Sequence, residues 1–550
     1  MKRISFFLSF LTLTTFFVNL SSLEAKGGQG IAYYNAGFPQ VAKPLLYEEL
    51  TSDPTNTAEN CFYLGNIYFG ENLLDSATYF FNKGLSTDPL NALNTVGLSM
   101  IKMKSNPAEA DIDIKNILKL KDNKKNIDVH LAIAKAYLAN KLINQALEYQ
   151  GKAQKLKPKY APVYVLMGDI ELALDSTGKA CSNYELAIYY DENCKEAYIK
   201  YARAYKTVNT PLAIEKLELL KVKEPDFLLV DKELADIYYA TNKFDKAAEL
   251  YENYLHSGNS SAADLTKYAM TLFFNQNFEK SLEIANLGLQ KTPRSPAFNR
   301  LAMYNYVGLK KNDDAILAAD RLFNKSDKAD FTYYDYTYYG QALRATQKFD
   351  LAVGQFEKAY SLDSAKIEIF KDISDTYVEK GDFYNGVLSY NKYVNKLSIE
   401  KKNADVYMAL GKLYYTYASN DSIETTKKAS LLKADSLFAI VTSLEPTVYR
   451  SYFYRANTNS AMDDANASQG LAKPFYEKTI SIIEAKTDAA RYNSILITSY
   501  SYLGVFFLKK DNIEESKVNW NKILAIQPEN ALAKRILEDL AKEKIKKNKK

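Results

Sequence analysis

The chain has 550 residues, of which 47% are hydrophobic and 25% are charged. This composition excludes an intrinsically disordered chain and a membrane-embedded one, and the length alone would suggest about three or four globular domains. The formal net charge is +5, but the last nine residues alone carry six lysines and one glutamate. The body of the chain, residues 26–541, is therefore nearly neutral. A nucleic-acid partner is not expected, because a nucleic-acid groove needs a basic stripe to neutralise phosphates.

The N-terminal segment differs from the rest of the chain. Lys2 and Arg3 precede an uncharged stretch at residues 4–18, and a small residue, Ala25, follows a short polar segment. This order is typical of a secretory signal peptide, and the apolar stretch is short for a membrane span. We predict a signal peptide at residues 1–25, with an uncleaved anchor as the alternative. The mature chain is expected to be exported, periplasmic or envelope-associated, and without an integral membrane span.

Residues 64–89, with the sequence LGNIYFGENLLDSATYFFNKGLSTDP, contain a pattern that the rest of the chain repeats. Gly65 and Tyr68 fall on one face of a helix, and Ala77 and Phe81 fall on one face of a second helix. The Gly-Glu-Asn run between the two helices has no apolar anchor and favours a turn. A proline after the second helix stops it. The segment therefore predicts a helical hairpin in which small residues let the two helices approach closely.

A small residue recurs at the alanine position of this hairpin along the whole chain, which predicts about fourteen repeats. This position is occupied by Ala42, Ala77, Ala110, Ala146, Ala180, Ala213, Ala247, Ser281, Ala315, Ala352, Gly386, Ala434, Ala472 and Ser516. One hairpin buries too little apolar surface to be stable alone, so each hairpin needs its neighbours.

Tyrosines and prolines follow the same register. About one tyrosine is expected by chance at the first-helix position over fourteen repeats, and eight are present. They are Tyr33, Tyr68, Tyr137, Tyr205, Tyr238, Tyr306, Tyr377 and Tyr414. Half of the 14 prolines occupy the terminating position of a repeat. They are Pro54, Pro89, Pro158, Pro225, Pro293, Pro446 and Pro528.

The order of a small residue, tyrosine, alanine, an aromatic residue, a second small residue and proline resembles the tetratricopeptide repeat, whose period is about 34 residues. The resemblance covers nearly the whole chain after the N-terminal segment, although the tryptophan common at the start of that family's repeats is absent there. It implies an all-α fold, an α-solenoid in which about fourteen hairpins form a right-handed superhelix. The expected domains are the signal peptide, a repeat array at residues 26–529, and a capping helix with a basic tail at residues 530–550.

Two later repeats are stretched. The segment from Gly411 to Ala434 spans 23 residues, whereas the equivalent segment of the hairpin at residues 64–89 spans 12. We therefore predict additional loop near residues 419–428 and, in the following repeat, near residues 463–470. Insertions at equivalent turns would protrude from one edge of the solenoid. There they would either contact a partner or form tolerated surface loops without a role.

The C-terminal segment predicts an amphipathic helix that covers the last hairpin. Its apolar stripe is predicted to consist of Ala531, Ile536, Leu537 and Leu540. Such a cap keeps the exposed apolar face of a terminal repeat away from water.

The sequence offers little for catalysis. Its two histidines, His130 and His256, lie in no triad-like context, and no Gly-rich phosphate loop is present. The three cysteines, Cys61, Cys181 and Cys194, form no disulfide framework and are expected to be buried free thiols. We predict no enzymatic activity, no cofactor and no metal site.

The family resemblance also implies which residues face a partner, because the first helix of each tetratricopeptide hairpin lines the concave groove. In phase with the register, these positions mix charges of both signs with aromatic rings. They are Lys135, Asp169, Arg203, Asp236, Tyr239, Phe273, Tyr304, Tyr334, Gln341, Arg344, Asp375, Lys412 and Tyr415. Some family members bind a C-terminal carboxylate through basic and Asn side chains. At the matching sites this chain has Phe62 and Asn66, then Asp128 and Ala132, so that mode of binding is not expected.

Residues 331–340, FTYYDYTYYG, carry six aromatic residues in ten. One helix face cannot bury all of them, so Tyr334 with Tyr304 and Arg344 would form an amphipathic surface for a peptide or a sugar. The alternative is that tyrosine serves here as the filler between helices.

These observations favour a non-enzymatic protein–protein interaction scaffold or assembly factor of the bacterial periplasm or cell envelope. Its partners are expected to be one or more proteins, held in the concave groove, within an envelope complex. The alternatives are a carbohydrate-binding envelope protein that uses exposed aromatic residues and an all-helical hydrolase, which would need paired acids in a closed cavity.

Overall fold

A computed structural model describes residues 28–52, 54–258, 260–463 and 469–547. The described residues form helices in consecutive packed pairs, and they contain no strand. The predicted all-α architecture of tetratricopeptide-like hairpins is therefore confirmed. The chain divides into two compact units, residues 1–275 and residues 276–550, which we describe separately.

Unit 1, residues 1–275, contains seven complete hairpins in its described part, and one further helix ends it. The paired helices are α1 (Gln29–Asn35) and α2 (Pro39–Ser52), α3 (Thr57–Gly70) and α4 (Leu74–Thr87), α5 (Ala92–Lys102) and α6 (Pro107–Ile117), α8 (Ile127–Ala139) and α9 (Ile143–Leu156), α10 (Ala161–Ala173) and α11 (Thr177–Tyr190), α12 (Lys195–Tyr205) and α13 (Thr210–Lys223), and α14 (Leu229–Ala240) and α15 (Phe244–Leu255). The short α7 (Lys121–Lys125) precedes the fourth hairpin, and α16 (Ala262–Phe274) is the last helix of the unit.

Unit 2, residues 276–550, begins with α17 (Phe278–Lys291) and continues with six complete hairpins in its described part. The paired helices are α18 (Pro296–Gly308) and α19 (Asn312–Lys325), α20 (Tyr333–Ala345) and α21 (Phe349–Leu362), α22 (Ile369–Lys380) and α23 (Phe383–Lys396), α24 (Ala404–Asn420) and α25 (Glu424–Leu444), α26 (Tyr449–Met462) and α27 (Lys473–Glu484), and α28 (Asn493–Lys509) and α29 (Ile513–Ile526). The last helix is α30 (Ala531–Lys547). The described parts of the two units thus contain thirteen complete hairpins, where about fourteen repeats were predicted.

The turn inside a hairpin has a recurring backbone conformation. In the hairpin of α3 and α4, Asn72 adopts a φ of 59°, and the amide N–H of Leu73 donates to the carbonyl oxygen of Tyr68 at 2.9 Å. This arrangement, a left-handed residue followed by a hydrogen bond back across the helix end, closes a helix without leaving its last carbonyl groups unpaired. The same conformation recurs two residues before the second helix at Gly37, Lys141, Asp175, Asn242, Lys310, Gln347, Gly381 and Asp511.

The predicted terminating prolines stand where the sequence places them. Pro89 follows the end of α4 by two residues, and Pro158 follows the end of α9 by the same distance. Since proline has no backbone N–H and restricts the residue before it, the position favours a turn into the next repeat. The predicted positions of the prolines that end the repeats are thus confirmed.

A small residue of the first helix lies directly over a ring of the second helix. A Cβ atom added to Gly65 would lie 2.3 Å from Cε1 of Phe81, and one added to Gly168 would lie 2.3 Å from Cε1 of Tyr184. Phe81 and Tyr184 are both fully buried. Gly340 over Phe356 and Gly504 over Trp520 repeat this contact. The glycine therefore lets the ring fill the space between the two helices, as the pattern predicted.

The stretched hairpin of α24 and α25 differs from the sequence-based expectation. Its additional residues do not form a long loop; they lengthen α24 to 17 residues and α25 to 21, whereas α3 and α4 have 14 each. The insertion adds about one helical turn to α24 beyond Gly411 and about two turns to α25 before Ala434, so the packed part of each helix is unchanged. Gly411 still lies over the fully buried ring of Phe438. The predicted additional loop at residues 419–428 was wrong for this reason. In the next repeat, residues 464–468 of the predicted loop lie outside the described residues.

The predicted capping helix is present as α30, which packs against the last hairpin. Leu540 is buried, and Ile536 and Leu537 are partly buried against the same core, as predicted. The small residue of the stripe is Ala533, which is fully buried, whereas the predicted Ala531 is exposed. Ala533 lies one turn before Leu537 and two turns before Leu540, so it falls on the same helix face.

The predicted signal peptide at residues 1–25 lies outside the described residues. Within the ranges that the structure describes, no helix combines the length and the apolar character that crossing a membrane requires.

Candidate partner-binding cavity

The first helices of six successive repeats surround a cavity of about 890 Å³ in unit 1. Residues of α1, α3, α5, α8, α10 and the start of α12 line it, as the family resemblance implies for the inner helices of a hairpin array. Its volume lies within the range of about 300–1,000 Å³ that is common for ligand pockets. The cavity is therefore large enough to receive side chains of another molecule.

Contacts between the first hairpin and the sixth and seventh repeats close unit 1 on itself, and we call this group of contacts the latch. Arg203, on α12, donates a hydrogen bond from Nη1 to the carbonyl oxygen of Gly37 at 2.9 Å and lies over the ring of Phe38. Phe227, in the loop between α13 and α14, packs edge-on against Phe38 and stacks on Tyr33. The latch thus joins segments that are far apart in sequence.

The latch arginine is also part of an ion pair. Its guanidinium meets the carboxylate of Glu233 with a shortest separation of 2.6 Å, and both Nε and Nη2 donate to that group. The side chain of Glu233 is only 11% exposed. Removing the arginine would therefore leave a largely buried carboxylate without its charge partner, which is costly.

Much of the cavity wall is apolar and aromatic. Leu131 and Met100 are buried, and Phe62 and Tyr63 lie on α3 with their rings 5.4 Å apart in an edge-on arrangement. Tyr34 packs edge-on against Tyr63 at 5.0 Å. Aromatic walls of this kind supply contact area at little conformational cost, so they suit the binding of a peptide side chain.

Two carboxylates of the cavity, Glu59 and Asp128, form no ion pair among the described residues. Burial and the nearby charge of Asp128 raise the pKa of Glu59 above its ordinary value. Burial, together with the charges of Glu59 and Asp128, raises the pKa of Tyr63 to about 12. This corner of the cavity is therefore negatively charged.

Three other charged residues of the cavity, Lys195, Glu196 and Glu224, form ion pairs, whereas the exposed Lys135 forms none among the described residues. Lys195 pairs with Glu224 at 3.0 Å, and Lys200 pairs with Glu196 at 2.9 Å. Burial acts to raise the pKa of Glu196, but Lys200 and Lys135 outweigh burial and lower it. The cavity therefore presents two carboxylates, Glu59 and Asp128, and one lysine, Lys135, that form no ion pair among the described residues.

Several predicted groove residues of unit 1 are engaged by the next repeat. Asp169 accepts hydrogen bonds from Lys200 and from the hydroxyl of Tyr184, and Asp236 accepts from Lys232, Lys267 and the hydroxyl of Tyr251. Lys135 is exposed and lines the cavity, while Tyr239 and Phe273 are half-buried. Arg203 belongs to the latch. Of the unit 1 residues that we predicted to face a partner, Lys135 is the one that lines the cavity.

The predicted groove residues of unit 2 also contact neighbouring repeats. Tyr304 is buried, donates to Oδ1 of Asp335 at 2.8 Å, and stacks on Tyr338. Arg344 pairs with Glu379 at 2.6 Å and lies 3.9 Å from the exposed Asp375. Gln341, Lys412 and Tyr415 are half-buried, and Lys412 lies over the ring of Tyr454. Partner contact by these residues remains a prediction.

The tyrosine-rich segment at residues 331–340 mainly packs. Tyr334 is 51% exposed, whereas the other five aromatic residues of the segment are half-buried. Phe331 and Tyr336 pack against Phe323 of the preceding repeat, and Lys366 lies over the ring of Tyr334. The helix buries its rings against neighbours on both sides, so one exposed ring remains and no stack of exposed rings forms within the segment.

The cysteines and the possible metal ligands add little chemistry. Cys61 and Cys181 are buried, as expected, but Cys194 is half-buried and lines the cavity. Burial raises the pKa of the Cys194 thiol to about 11, so this thiol is a weak nucleophile at neutral pH. In the part of the chain that the structure describes, no three metal-binding side chains lie together.

The latch and the acidic corner were not predicted. The repeat register places Phe62, Asn66 and Asp128 on the inner helices, where their residue types argue against binding of a C-terminal carboxylate. Glu59 lies one helical turn before Phe62, and this acidic residue was the sequence feature that indicated an acidic corner. The latch has no local signal, because it depends on the summed geometry of six repeats.

A family comparison identifies one of the hairpins directly. Residues 127–160 match the model of the tetratricopeptide repeat, and they comprise α8, α9 and the turn that follows. The backbone geometry of that hairpin recurs along both units. No curated protein matches the chain.

Many solved structures resemble parts of the chain. The C-terminal part of a repeat protein from Cytophaga hutchinsonii is 28% identical, with 49% of this chain and 97% of that one covered and a TM-score of 0.41. A tetratricopeptide repeat protein from Parabacteroides merdae is 17% identical, covering 46% and 98%, with a TM-score of 0.31. A thermophilic repeat protein from Thermus thermophilus is 18% identical, covering 33% and 98%, with a TM-score of 0.26.

Proposed function

Because the chain belongs to the tetratricopeptide-repeat family as a protein of many repeats, we propose that it is a non-enzymatic protein–protein interaction scaffold or assembly factor. In solenoids of this kind the concave surface is extended and is used to bind other proteins. The proposed partner is a protein segment that enters the cavity of unit 1.

The cavity is the observation that supports this proposal. Its inner helices present apolar and aromatic side chains together with unpaired acidic groups, whereas many charged residues elsewhere on the first helices are engaged by neighbouring repeats. Buried aromatic anchors supply most of the affinity of a typical protein interface, and charges select the partner. A cavity with both features is suited to a peptide segment.

Site-specific photo-cross-linking tests the proposal. A photoreactive phenylalanine analogue is introduced at Phe62, which lines the cavity, and in a second variant at Tyr79, which lies on α4 and is 59% exposed. We expect a reproducible cross-linked protein at position 62 and no such product at position 79. The scaffold proposal is wrong if position 62 gives no product in native cells, or if both positions give the same products.

We further propose that the protein acts after export, in the periplasm or as part of an envelope complex. The order of charged, apolar and small residues at positions 1–25 supports this location. N-terminal sequencing of the protein from the native cell, combined with cell fractionation, tests it. A mature chain that begins at Lys26 in the envelope fraction is expected, whereas a cytoplasmic chain that retains Met1 would contradict the proposal.

A further inference from the structure

We propose that the first hairpin, formed by α1 and α2, is a lid on the cavity of unit 1, and that the latch must open before a partner segment can enter. This inference rests on the proposed function, because it assumes that a partner segment enters the cavity. It adds a conformational control of that entry. The apparent affinity for the partner would depend on the fraction of molecules in which the latch is open.

The lid forms part of the cavity wall. Tyr34 of α1 lines the cavity, and the wall also includes Glu196 on α12 and Glu224 in the loop between α13 and α14. The latch residues Arg203 and Phe227 lie on that same helix and in that same loop. The latch therefore joins two parts of the wall, and its release would allow them to separate.

The residues of the latch lie outside the cavity lining. Among the described residues that line the cavity, none is Tyr33, Gly37, Phe38, Arg203 or Phe227. A substitution in the latch therefore changes how the wall is closed and leaves the surface that a partner would contact unchanged. Closure and binding can thus be tested separately.

The lid shares its apolar core with the second hairpin. Ala42 and Leu46 of α2 pack in one buried cluster with Cys61 and Leu64 of α3. The buried members of the larger core cluster of unit 1 lie between residues 69 and 201. Release of the latch would therefore leave the lid attached to the second hairpin and the larger core intact. Parts of a protein with separate cores of this kind can open independently of the whole.

Opening the latch leaves no charge unpaired. Arg203 lies on α12 and its partner Glu233 lies on α14, so their ion pair is on one side of the latch and stays formed when the lid moves away. The contacts that open are the hydrogen bond to Gly37, the contact of the guanidinium with Phe38, and the two ring contacts of Phe227. Since the arginine side chain is 37% exposed, water can replace part of these contacts, each of which is modest in strength.

The turn of the lid gives the latch arginine room. Gly37 has a φ of 84°, and a Cβ atom added there would lie 3.1 Å from Nη1 of Arg203. Asn72 occupies the equivalent turn of the second hairpin, because asparagine tolerates the left-handed conformation. Asparagine in place of Gly37 would therefore suit the backbone but place its side chain against the guanidinium. At the equivalent Gly381 of unit 2, nothing lies within 4 Å of an added Cβ.

Cysteine modification in the full chain tests whether the lid opens. The latch-released chain carries Gly37→Asn and Phe227→Ala. The control carries the same two kinds of substitution in unit 2, Gly381→Asn and Phe331→Ala, the latter in a half-buried ring of the loop before α20. Iodoacetamide should modify Cys194, which lines the cavity, at least about threefold faster in the latch-released chain than in the unsubstituted chain. The control should react at the unsubstituted rate.

The two buried cysteines distinguish opening from unfolding. Cys61 lies in the core that the lid shares with the second hairpin, and Cys181 lies in the larger core. Both should keep their rates in the latch-released chain if the lid moves as a unit. Faster modification of Cys61 would show that the lid unfolds, and faster modification of Cys181 would show that the larger core loosens. Either result, or an unchanged rate at Cys194, would overturn the inference.

The cross-link at position 62 connects the lid to partner entry. With the photoreactive analogue at Phe62, the latch-released chain should give at least about twice the yield of cross-linked protein, because a larger fraction of molecules is open. The control should give the unsubstituted yield. An equal or lower yield from the latch-released chain would overturn the lid and leave the scaffold function standing. No product from any of these chains would contradict both proposals.

Discussion

The cavity wall of unit 1 and the inner helices of unit 2 use acidic residues differently. In unit 1, Glu59 and Asp128 face the cavity without an ion pair among the described residues. In unit 2, Asp335 meets Arg300 at 2.6 Å and Glu379 meets Arg344 at 2.6 Å. The repeat geometry is the same in both units. A carboxylate on the inner helix therefore either strengthens the contact between repeats or remains available to a partner, depending on whether a neighbouring repeat supplies a lysine or an arginine.

The largest expected effect is a loss of stability when the aromatic ring that packs against the glycine of the first helix is removed from one hairpin in each unit. Phe81→Ala in unit 1 and Phe438→Ala in unit 2 should each lower the local free energy of unfolding by about 3–5 kcal/mol, because each ring is fully buried. Hydrogen exchange measured helix by helix reports the loss in α3 and α4 or in α24 and α25. Equal losses would show that the lengthened hairpin keeps the same core. A loss below about 1 kcal/mol at Phe438 would contradict that.

The second-largest expected effect compares the loss of stability on removing Arg203 in unit 1 with that on removing Arg344 in unit 2. Arg203→Ala leaves Glu233, which is 11% exposed, without its partner, whereas Arg344→Ala leaves Glu379, which is 49% exposed. We expect a loss of about 2–3 kcal/mol for the first substitution and below about 1 kcal/mol for the second. Faster hydrogen exchange in α1 after the Arg203 substitution would show that the latch holds the first hairpin. Equal losses for both arginines would refute the latch as a stabilising contact.

The pH dependence of two glutamates should have opposite signs. The folded-state pKa of Glu59 is raised by burial and by Asp128, so its ionisation disfavours folding as pH rises above the ordinary value of 4.5. The pKa of Glu379 is lowered by its hydrogen bond with Arg344, so its stabilising contribution is present above 4.5 and is lost as pH falls through the lowered value.

Replacing each glutamate with glutamine allows the sign of its contribution to the free energy of unfolding to be measured. Glu59→Gln should raise the free energy of unfolding at pH 7 by less than about 1 kcal/mol, and Glu379→Gln should lower it by less than about 1 kcal/mol, since both groups are partly exposed. Both differences should shrink toward pH 4. Denaturant titrations of each variant against the unsubstituted chain give the differences. A destabilising Glu59→Gln at pH 7 would show that this carboxylate already has a cationic partner.

The smallest expected effect is a gain in stability at helical glycines that have free space around them, one in each unit. Gly151 on α9 and Gly354 on α21 have no neighbouring atom within 4 Å of an added Cβ. Alanine at either position should stabilise its helix by about 0.5–1 kcal/mol, because glycine carries an entropy cost in a helix. The matched controls are Gly168→Ala and Gly340→Ala, which place a Cβ within 2.5 Å of a ring and should destabilise. Stabilisation by all four substitutions would contradict the packing of glycine over a ring.

The repeat register could be predicted from the sequence because it depends on local features. Gly65 and Phe81 are 16 residues apart, and the turn and proline between successive helices follow from backbone preferences of single residues. The lengthened hairpin was misjudged, because a count of inserted residues does not show whether they form loop or helix. The additional residues extend α24 by about one turn and α25 by about two turns at the ends that face the connecting turn, so Gly411 still lies over Phe438.

The latch and the acidic corner could not be predicted in the same way. Phe38 meets Phe227 only after six repeats have each added a small rotation, and no local pattern encodes that sum. Whether Glu59 finds a cation depends likewise on which side chain the next inner helix presents. Which charged residues contact a neighbouring repeat and which line the cavity could be read only from the structure.

The most direct test of the account measures the cavity itself through Cys194, which lines it and is half-buried, while Cys61 and Cys181 are buried. The rate at which iodoacetamide modifies Cys194 is followed by mass spectrometry with and without the protein that cross-links at position 62. A partner segment inside the cavity should slow this modification at least about fivefold, because the thiol becomes inaccessible. An unchanged rate at saturating partner would place the partner elsewhere and contradict the account.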